Sequence, residues 1–139
     1  AARYPLIEGL VAAATAAAAL PLLARMWPEG GPVPLISSFA VPALRLAAEL
    51  VPGWPRGLLV ERLPGDPEGC LRGLGCASLH ANWESLDEGV VSRLKKQEFL
   101  VLAYTVNDRS VAEKLWAWGV DAVFSDRPDV IAATDAVFQ

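Results

Sequence analysis

The sequence predicts an α/β fold in which a parallel β-sheet is covered by helices. Five short apolar runs alternate with segments whose apolar residues recur at helical spacing. The runs are apolar throughout, as in strands that are buried on both faces of a parallel sheet. No glycine-rich G-x-G-x-x-G turn follows any run, so a dinucleotide-binding sheet has no support. An open doubly wound sheet and part of a (β/α)8 barrel remain as the two architectures.

Composition limits the classes of protein to which the chain can belong. It has 139 residues, a net charge of −4 and 53% hydrophobic residues, which suits one domain with a buried core. This mildly acidic balance argues against nucleic-acid binding, which needs a basic surface. Cys70 and Cys76 fit neither a disulfide framework nor a zinc-binding pattern. We expect two free thiols in a reducing compartment.

The expected elements follow one another along the chain. The strands are predicted at residues 34–39, 56–61, 76–80, 99–106 and 122–125. The first two helices are predicted at residues 4–27 and around Leu44 to Val51. The next two begin after the Asp66 N-cap and after a capping-box pair of Ser85 and Glu88. The last two are predicted at residues 110–118, before Gly119, and after Asp126 and Pro128.

The first helix carries information about the whole fold. Its apolar stretch, residues 9–24, is rich in alanine, is interrupted by Pro21 and is short of the roughly 20 residues of a membrane span. We therefore expect a packed helix, no membrane partner and a cytoplasmic location. No strand precedes this helix, although each crossover helix of a parallel sheet follows a strand.

The chain also has roughly half the typical length of a whole barrel, which is about 250 residues. The expected fold is therefore a partial (β/α)8 TIM barrel with about five parallel strands and flanking helices, in which the N-terminal strands are missing. On this interpretation, residues 1–139 are the C-terminal part of a single barrel domain.

Polar residues follow each predicted strand, where a barrel keeps its functional groups. They are Ser37-Ser38-Phe39, Glu61, His80-Ala81-Asn82, Thr105-Val106-Asn107 and Ser125-Asp126. Each also has a purely structural interpretation: Asn107 and Asp126 could cap helices, and His80 could be a hydrogen-bonded residue of the core.

In this order, five stretches resemble the bacterial glycerophosphodiester phosphodiesterases. They are PLISSF, AL-x-LAAELVP-x-WPRGLL, LGCASLHAN, VLAYTVND and WGVDAVFSDRPDVI, and the resemblance extends from about Trp27 to Ile131. It implies a phospholipase-C-like barrel that hydrolyses glycerophosphodiesters to glycerol 3-phosphate and an alcohol, with a divalent metal, Mg²⁺ or Ca²⁺.

The residues that the family uses for catalysis and metal binding do not occur in this sequence. The family's H-R-G, E-x-D, H-D and E-x-K motifs are absent, so we expect no catalytic residue and no metal ligand in this chain. The resemblance implies a substrate-binding role for His80, Tyr104, Asn107 and Phe39. The two aromatic residues would form an apolar rim, and His80 and Asn107 would offer hydrogen bonds to the ligand or to the absent carboxylates.

One departure from the family concerns backbone conformation. The family has a glycine in the turn before the Y-T-V-N strand, where this chain has Lys96-Gln97-Glu98-Phe99. A residue other than glycine is therefore expected to adopt a positive φ there, at a modest energetic cost.

Three functional hypotheses follow. The first is a fragment of a metal-dependent phosphodiesterase of lipid and glycerol metabolism, inactive alone, whose ligand is a small glycerophosphodiester. The second is a non-catalytic relic or interaction module that keeps the half-barrel fold, and the third is half of another phosphate-handling barrel. Because a partial barrel has unpaired strand edges, we expect the chain to need the missing strands or to self-associate.

Overall fold

The computed structural model describes residues 5–132, and every predicted element is present in that range. The helices are α1 (Pro5–Met26), α2 (Val41–Leu50), α3 (Pro67–Leu74), α4 (Glu88–Lys96), α5 (Arg109–Trp118) and α6 (Pro128–Ile131). The strands are β1 (Ile36–Ser38), β2 (Arg56–Val60), β3 (Ser78–Asn82), β4 (Leu100–Tyr104) and β5 (Ala122–Val123). A short 3₁₀ helix spans Trp83–Ser85. Tyr4, the predicted start of the first helix, lies outside the described residues.

The strands are arranged in the sheet in their order along the chain, β1-β2-β3-β4-β5. The pairing is parallel, with Ile36 opposite Arg56 and Leu102 opposite Ala122. A doubly wound sheet reverses its strand order at a switch point, whereas the strands of a barrel follow each other in sequence. The observed order therefore supports the partial barrel over the doubly wound sheet.

The chain divides into two compact units, and the first contains the N-terminal elements. This unit comprises residues up to Leu59 together with Asp66–Leu79. Its core contains Leu20 of α1 and Ala47 of α2, with Ile36 partly buried against them. The expected packing of the first helix is thus found at the contact between α1 and α2.

Much of α1 remains exposed, however. Leu10 and Met26 are 72% and 71% exposed, while Leu20 is buried. The helix continues through Pro21. Its segment Gly9–Met26 has a mean hydropathy of 1.6, so by length and composition alone it could cross a membrane. Core helices of soluble proteins and signal sequences meet the same criterion.

The second unit comprises Val60–Gly65 and the chain from His80 onward. Strand β4 lies at its centre, with Val101 and Ala103 fully buried. Helices α4 and α5 contribute Val91 and Leu115 to the buried residues. Each belongs to a buried pair three residues apart, Val91 with Leu94 and Ala112 with Leu115, and such a pair shares one helix face.

Helix starts were predicted with mixed success. Asp66 caps α3 as expected, since its side chain accepts a hydrogen bond from Gly69 N at 2.9 Å. The capping box of Ser85 and Glu88 is wrong: Asp87 caps α4 by accepting from Val90 N at 2.8 Å.

The two alternative capping roles are not found either. Asp108, and not Asn107, caps α5. The N-cap position of α6 is Arg127, without a capping side chain, and not Asp126.

Helices α3, α4 and α5 end in the same type of turn. The sequence predicted that a residue other than glycine would occupy the turn after α4. Gly75, Glu98 and Gly119 follow α3, α4 and α5 with positive φ angles of 62°, 63° and 104°. After α4, the N–H of Glu98 bonds to Lys95 O and that of Phe99 to Leu94 O, the pair of bonds that defines a Schellman motif. The expected positive φ at a non-glycine residue is therefore confirmed at Glu98.

Both cysteines are free, as predicted. Cys76 is buried, and this burial raises the pKa of its thiol, while the charge of Arg56 opposes the shift. The Cys76 side chain is thus held in its neutral form.

Candidate functional site

The carboxyl ends of β2, β3 and β4 are joined by one polar network within the second unit. Tyr104 Oη donates to the carbonyl oxygen of Val60 at 2.7 Å and lies 3.3 Å from Glu61 Oε2. Asn82 Nδ2 donates to Glu61 Oε1 at 3.2 Å. The residue that directly follows β2 and the last residues of β3 and β4 are therefore in contact.

The side chain of Asn82 is held in one orientation. Its Oδ1 accepts a hydrogen bond from Glu84 N at 3.0 Å, so its Nδ2 points to Glu61. The backbone oxygen of Asn82 also accepts from Ser85 Oγ at 2.7 Å. These bonds fix the start of the 3₁₀ helix and, through it, the donor that meets Glu61.

Tyr104 is a neutral hydroxyl in this network. Burial raises its pKa above the usual value, and the neighbouring charge of Glu61 raises it further, while a backbone hydrogen bond at Asn82 opposes the shift. Its single O–H hydrogen points to the Val60 carbonyl at the shorter distance, 2.7 Å. Tyr104 is therefore a positioning and hydrogen-bonding group in this structure.

A second polar cluster joins the ends of β4 and β5. Asn107 Oδ1 accepts from Asp126 N at 2.9 Å and from Ser125 Oγ at 3.1 Å. Asn107 Nδ2 lies 3.4 Å from Asp126 Oδ2. A ligand that donates to Oδ1 would therefore compete with these two bonds, whereas Nδ2 has a second hydrogen that a ligand oxygen could accept.

His80 lies within β3 and is fully buried. Its ring is 5.8 Å from the ring of Phe124. Burial lowers the pKa of its imidazole, because the charged form loses its hydration. His80 precedes Asn82 by two residues, so both side chains lie on the same face of the strand.

Phe39 belongs to the first unit, whereas His80, Tyr104 and Asn107 belong to the second. It follows β1 and is 58% exposed. It lines a cavity of about 630 Å³ within that unit. Other lining residues include Leu10, Ser37, Ser38, Pro42 and Leu59. The position of Phe39 is that of an exposed aromatic group directly after a strand.

No group of three or more His, Cys, Asp or Glu side chains that could hold a metal ion occurs among residues 5–132. The described residues therefore do not form a site for the divalent metal that the resemblance implies.

Sequential parallel strands with polar residues at their carboxyl ends define the class of protein, a piece of a β/α barrel. More particularly, the chain belongs to the glycerophosphoryl diester phosphodiesterase family, whose model matches residues 14–130. Members of this family are generally metal-dependent. Comparison with curated proteins gave no match.

Solved structures agree with this assignment. A phosphodiesterase from Oleispira antarctica, solved in complex with the product sn-glycerol 3-phosphate, is 42% identical, with a TM-score of 0.84 over 90% of this chain and 50% of that one. Proteins from Silicibacter pomeroyi and Parabacteroides distasonis, at 21% and 20% identity, share the fold with TM-scores of 0.74 and 0.73. They are covered over 44% and 52% of their lengths, against 91% and 95% of this chain. The chain thus spans about half the length of these relatives.

Sequence reasoning placed Glu61 and Asn82 at strand ends but left them out of the predicted site. The polar residue type directly after an apolar run was the available signal. The order of the strands in the sheet, which shows that these ends are neighbours, could not be deduced from either residue alone.

Proposed function

We propose that this chain is the C-terminal part of a glycerophosphodiester phosphodiesterase, in which it forms one wall of the substrate cleft. The complete enzyme would hydrolyse a glycerophosphodiester to glycerol 3-phosphate and an alcohol in lipid and glycerol metabolism. The observation that carries this proposal is the 42% identity over 90% of the chain to a phosphodiesterase solved with its product sn-glycerol 3-phosphate.

The proposed role of the chain is substrate binding, carried by His80, Tyr104, Asn107 and Phe39. The exposed ring of Phe39 suits the apolar rim, to which the ring of Tyr104 would also contribute, while His80 and Asn107 would offer hydrogen bonds. We propose that the catalytic groups and the ligands of Mg²⁺ or Ca²⁺ come from polypeptide outside these 139 residues. The location of the assembled enzyme is proposed to be cytoplasmic.

The proposal can be tested by complementation. The 139-residue chain is incubated with glycerophosphocholine and Mg²⁺ or Ca²⁺, alone or co-expressed with the half of the Oleispira antarctica phosphodiesterase that it does not match. We expect glycerol 3-phosphate only from the co-expressed pair. Turnover by the chain alone would contradict the proposal that the catalytic groups come from polypeptide outside these 139 residues. A stable pair that does not hydrolyse the substrate would favour the non-catalytic interaction module.

The aromatic part of the site can be tested in the same pair. Phe39→Ala is expected to raise KM severalfold with little change in kcat, because the exposed ring would contact substrate and not the reacting atoms. Trp116→Ala is the matched control, since this aromatic residue is also exposed and lies on α5. Equal KM values for Phe39→Ala and the unaltered chain would remove Phe39 from the site.

A further inference from the structure

Glu61 is the one carboxylate in the network that joins the ends of β2, β3 and β4 in the described part of the chain. We propose that Glu61 is a specificity-determining residue, whose carboxylate accepts hydrogen bonds from a hydroxyl or ammonium group of the ligand. This inference rests on the proposed function and adds a ligand chemistry to it. The carboxylate would contact the part of the ligand that lies outside the phosphate.

The carboxylate is held in position before any ligand arrives. Asn82 Nδ2 donates to its Oε1 at 3.2 Å, and Tyr104 Oη lies 3.3 Å from its Oε2. Asn82 is itself fixed by Glu84 N, and Tyr104 by the Val60 carbonyl. Groups from two neighbouring strands therefore restrict the rotamers of Glu61, which reduces the entropy that a ligand must offset on binding.

The network offers acceptors to a ligand. A carboxylate has about four lone-pair positions and no hydrogen, so the two contacts leave acceptor capacity on Glu61. The hydrogen of the Tyr104 hydroxyl is directed to Val60, so Tyr104 does not offer this hydrogen to a ligand. A ligand group bound here must donate hydrogen, as a glycerol hydroxyl or the ammonium group of an amino alcohol does.

Charge excludes the phosphate from the same position. Lys95 pairs with Asp121, Arg109 with Glu113 and Arg127 with Asp129, so these three cations are engaged with other carboxylates. The carboxylate is therefore not neutralised by these residues. A phosphate oxygen near it would face a like charge, whereas a donor group would be attracted.

Glu61→Gln distinguishes ligand binding from a merely structural role. Glutamine keeps an oxygen that can accept from Asn82 Nδ2, so the polar network and the stability of the chain should persist. It removes the negative charge and one of the acceptor oxygens that a donor ligand would use. Glu84→Gln is the matched control, because it removes the same charge from an exposed side chain near Asn82.

The experiment is ligand-observed saturation-transfer NMR on the full 139-residue chain, with three probes. sn-Glycerol 3-phosphate carries hydroxyl donors, phosphoethanolamine carries an ammonium donor, and methyl phosphate carries no donor outside the phosphate. We expect at least one of the first two probes to bind, with a Kd raised roughly tenfold or more by Glu61→Gln, as for loss of a hydrogen bond to a charged group. Glu84→Gln should leave that Kd unchanged, and methyl phosphate should not respond to either substitution.

The outcomes separate the ligand sources and the two proposals. A response of sn-glycerol 3-phosphate alone assigns Glu61 to the glycerol hydroxyls, and a response of phosphoethanolamine alone assigns it to an ammonium group; either supports the inference. Absence of saturation of both probes, or equal Kd values for Glu61→Gln and the unaltered chain, would overturn it. Hydrolysis by the co-expressed pair is measured independently of these Kd values. The proposed function can therefore be supported when the role of Glu61 is contradicted, and the role of Glu61 can be supported when the proposed function is contradicted.

Discussion

Glu98 adopts a left-handed backbone conformation, with φ at 63°, in a turn where α3 and α5 use glycine. The hydrogen bonds of Glu98 N and Phe99 N to the last turn of α4 force this geometry, since they satisfy carbonyl groups that the helix end leaves open. A side chain with a Cβ atom is strained there, because that atom approaches the carbonyl oxygen. The turn after α4 therefore carries backbone strain that a glycine at position 98 would remove.

Replacing Glu98 by glycine should stabilise the chain. We expect Glu98→Gly to raise the free energy of unfolding by about 1 kcal/mol, the strain of a left-handed residue less the entropy cost of glycine. The matched substitution Gly119→Ala introduces the strain at the equivalent turn after α5, and should lower stability by about 1–2 kcal/mol. Urea unfolding at one fixed protein concentration measures both, and a destabilised Glu98→Gly chain would contradict this account.

His80 should make stability depend on pH below neutrality. Burial lowers its pKa in the folded chain, while the unfolded chain keeps a pKa of about 6.5. Between these two values the unfolded state binds more protons, so the free energy of unfolding falls as the pH decreases through that window. Stability is fully present above about pH 6.5, and the loss is complete below the lowered pKa.

The measurement is the slope of unfolding free energy against pH. The unaltered chain should lose stability between pH 6.5 and the lower pKa, and His80→Gln should have a flatter profile in that range, whatever its absolute stability. Since His80 is the single histidine of the sequence, no other imidazole contributes. Parallel profiles for the two chains would show that the imidazole is not buried in its neutral form.

At the scale of elements, the W-G-V-D run proves to be a structural connection between α5 and β5. Gly119 ends α5, and Asp121 then joins three elements. Its carboxylate accepts from Val101 N at 2.8 Å and from Lys95 Nζ at 2.6 and 2.7 Å. Lys95 is thus an anchor between α4 and the start of β5.

The two contacts of Asp121 should contribute unequally to the free energy of unfolding. Asp121→Ala leaves the backbone N–H of the buried Val101 without this acceptor, so we expect a loss of about 1.5–3 kcal/mol in the free energy of unfolding. Lys95→Met removes only a partly exposed ion pair and should cost less than about 1 kcal/mol. Chemical denaturation of both chains gives the comparison, and equal losses would assign the effect to the ion pair instead.

Elements were easier to predict than their ends or their contacts. Gly119 and Asp66 marked helix boundaries because each has one strong local preference, a positive φ or an N-terminal cap. Asp87 was missed in favour of Ser85, since both are capping side chains, they lie two residues apart, and the local sequence does not rank them. Strand β3 extends to Asn82 instead of ending at His80, because pairing in the sheet sets the end of a strand.

The same distinction holds for the site. Glu61 and Asn82 were identifiable as polar residues after apolar runs, but their contact depends on β2 and β3 being neighbours. Asn107 was predicted as a ligand group, and its role there remains a prediction. Its bonds to Ser125 and Asp126 show how a side chain at a strand end can also hold two strands together.

At the scale of the whole molecule, the periodic apolar pattern was sufficient to predict a parallel α/β fold. The strand order, which distinguishes barrel from doubly wound sheet, came from the structure. The chain spans about half the length of the solved relatives. In the proposed enzyme it would therefore contact further polypeptide through some of its surfaces. We expect two such surfaces, the outermost strands of the sheet and the apolar side chains of α1.

These surfaces should cause the isolated chain to self-associate. Strands β1 and β5 are the first and last of the sheet, and an outermost strand presents backbone groups that can pair with another chain. On α1, Leu10 and Val11 are 72% and 61% exposed, an apolar area that is typical of interaction surfaces. Light scattering should therefore give a mass above the 14.8 kDa of one chain.

Charge on α1 should reduce this association. We expect the double substitution Leu10→Lys and Val11→Lys to shift the scattering mass towards that of one chain, because desolvating two ammonium groups opposes burial of the helix. Trp116→Lys, on the exposed surface of α5, adds charge outside α1 and should leave the mass unchanged. An unaltered chain that stays monomeric at high concentration would contradict the half-barrel interpretation, since its strand edges and α1 would then need no partner.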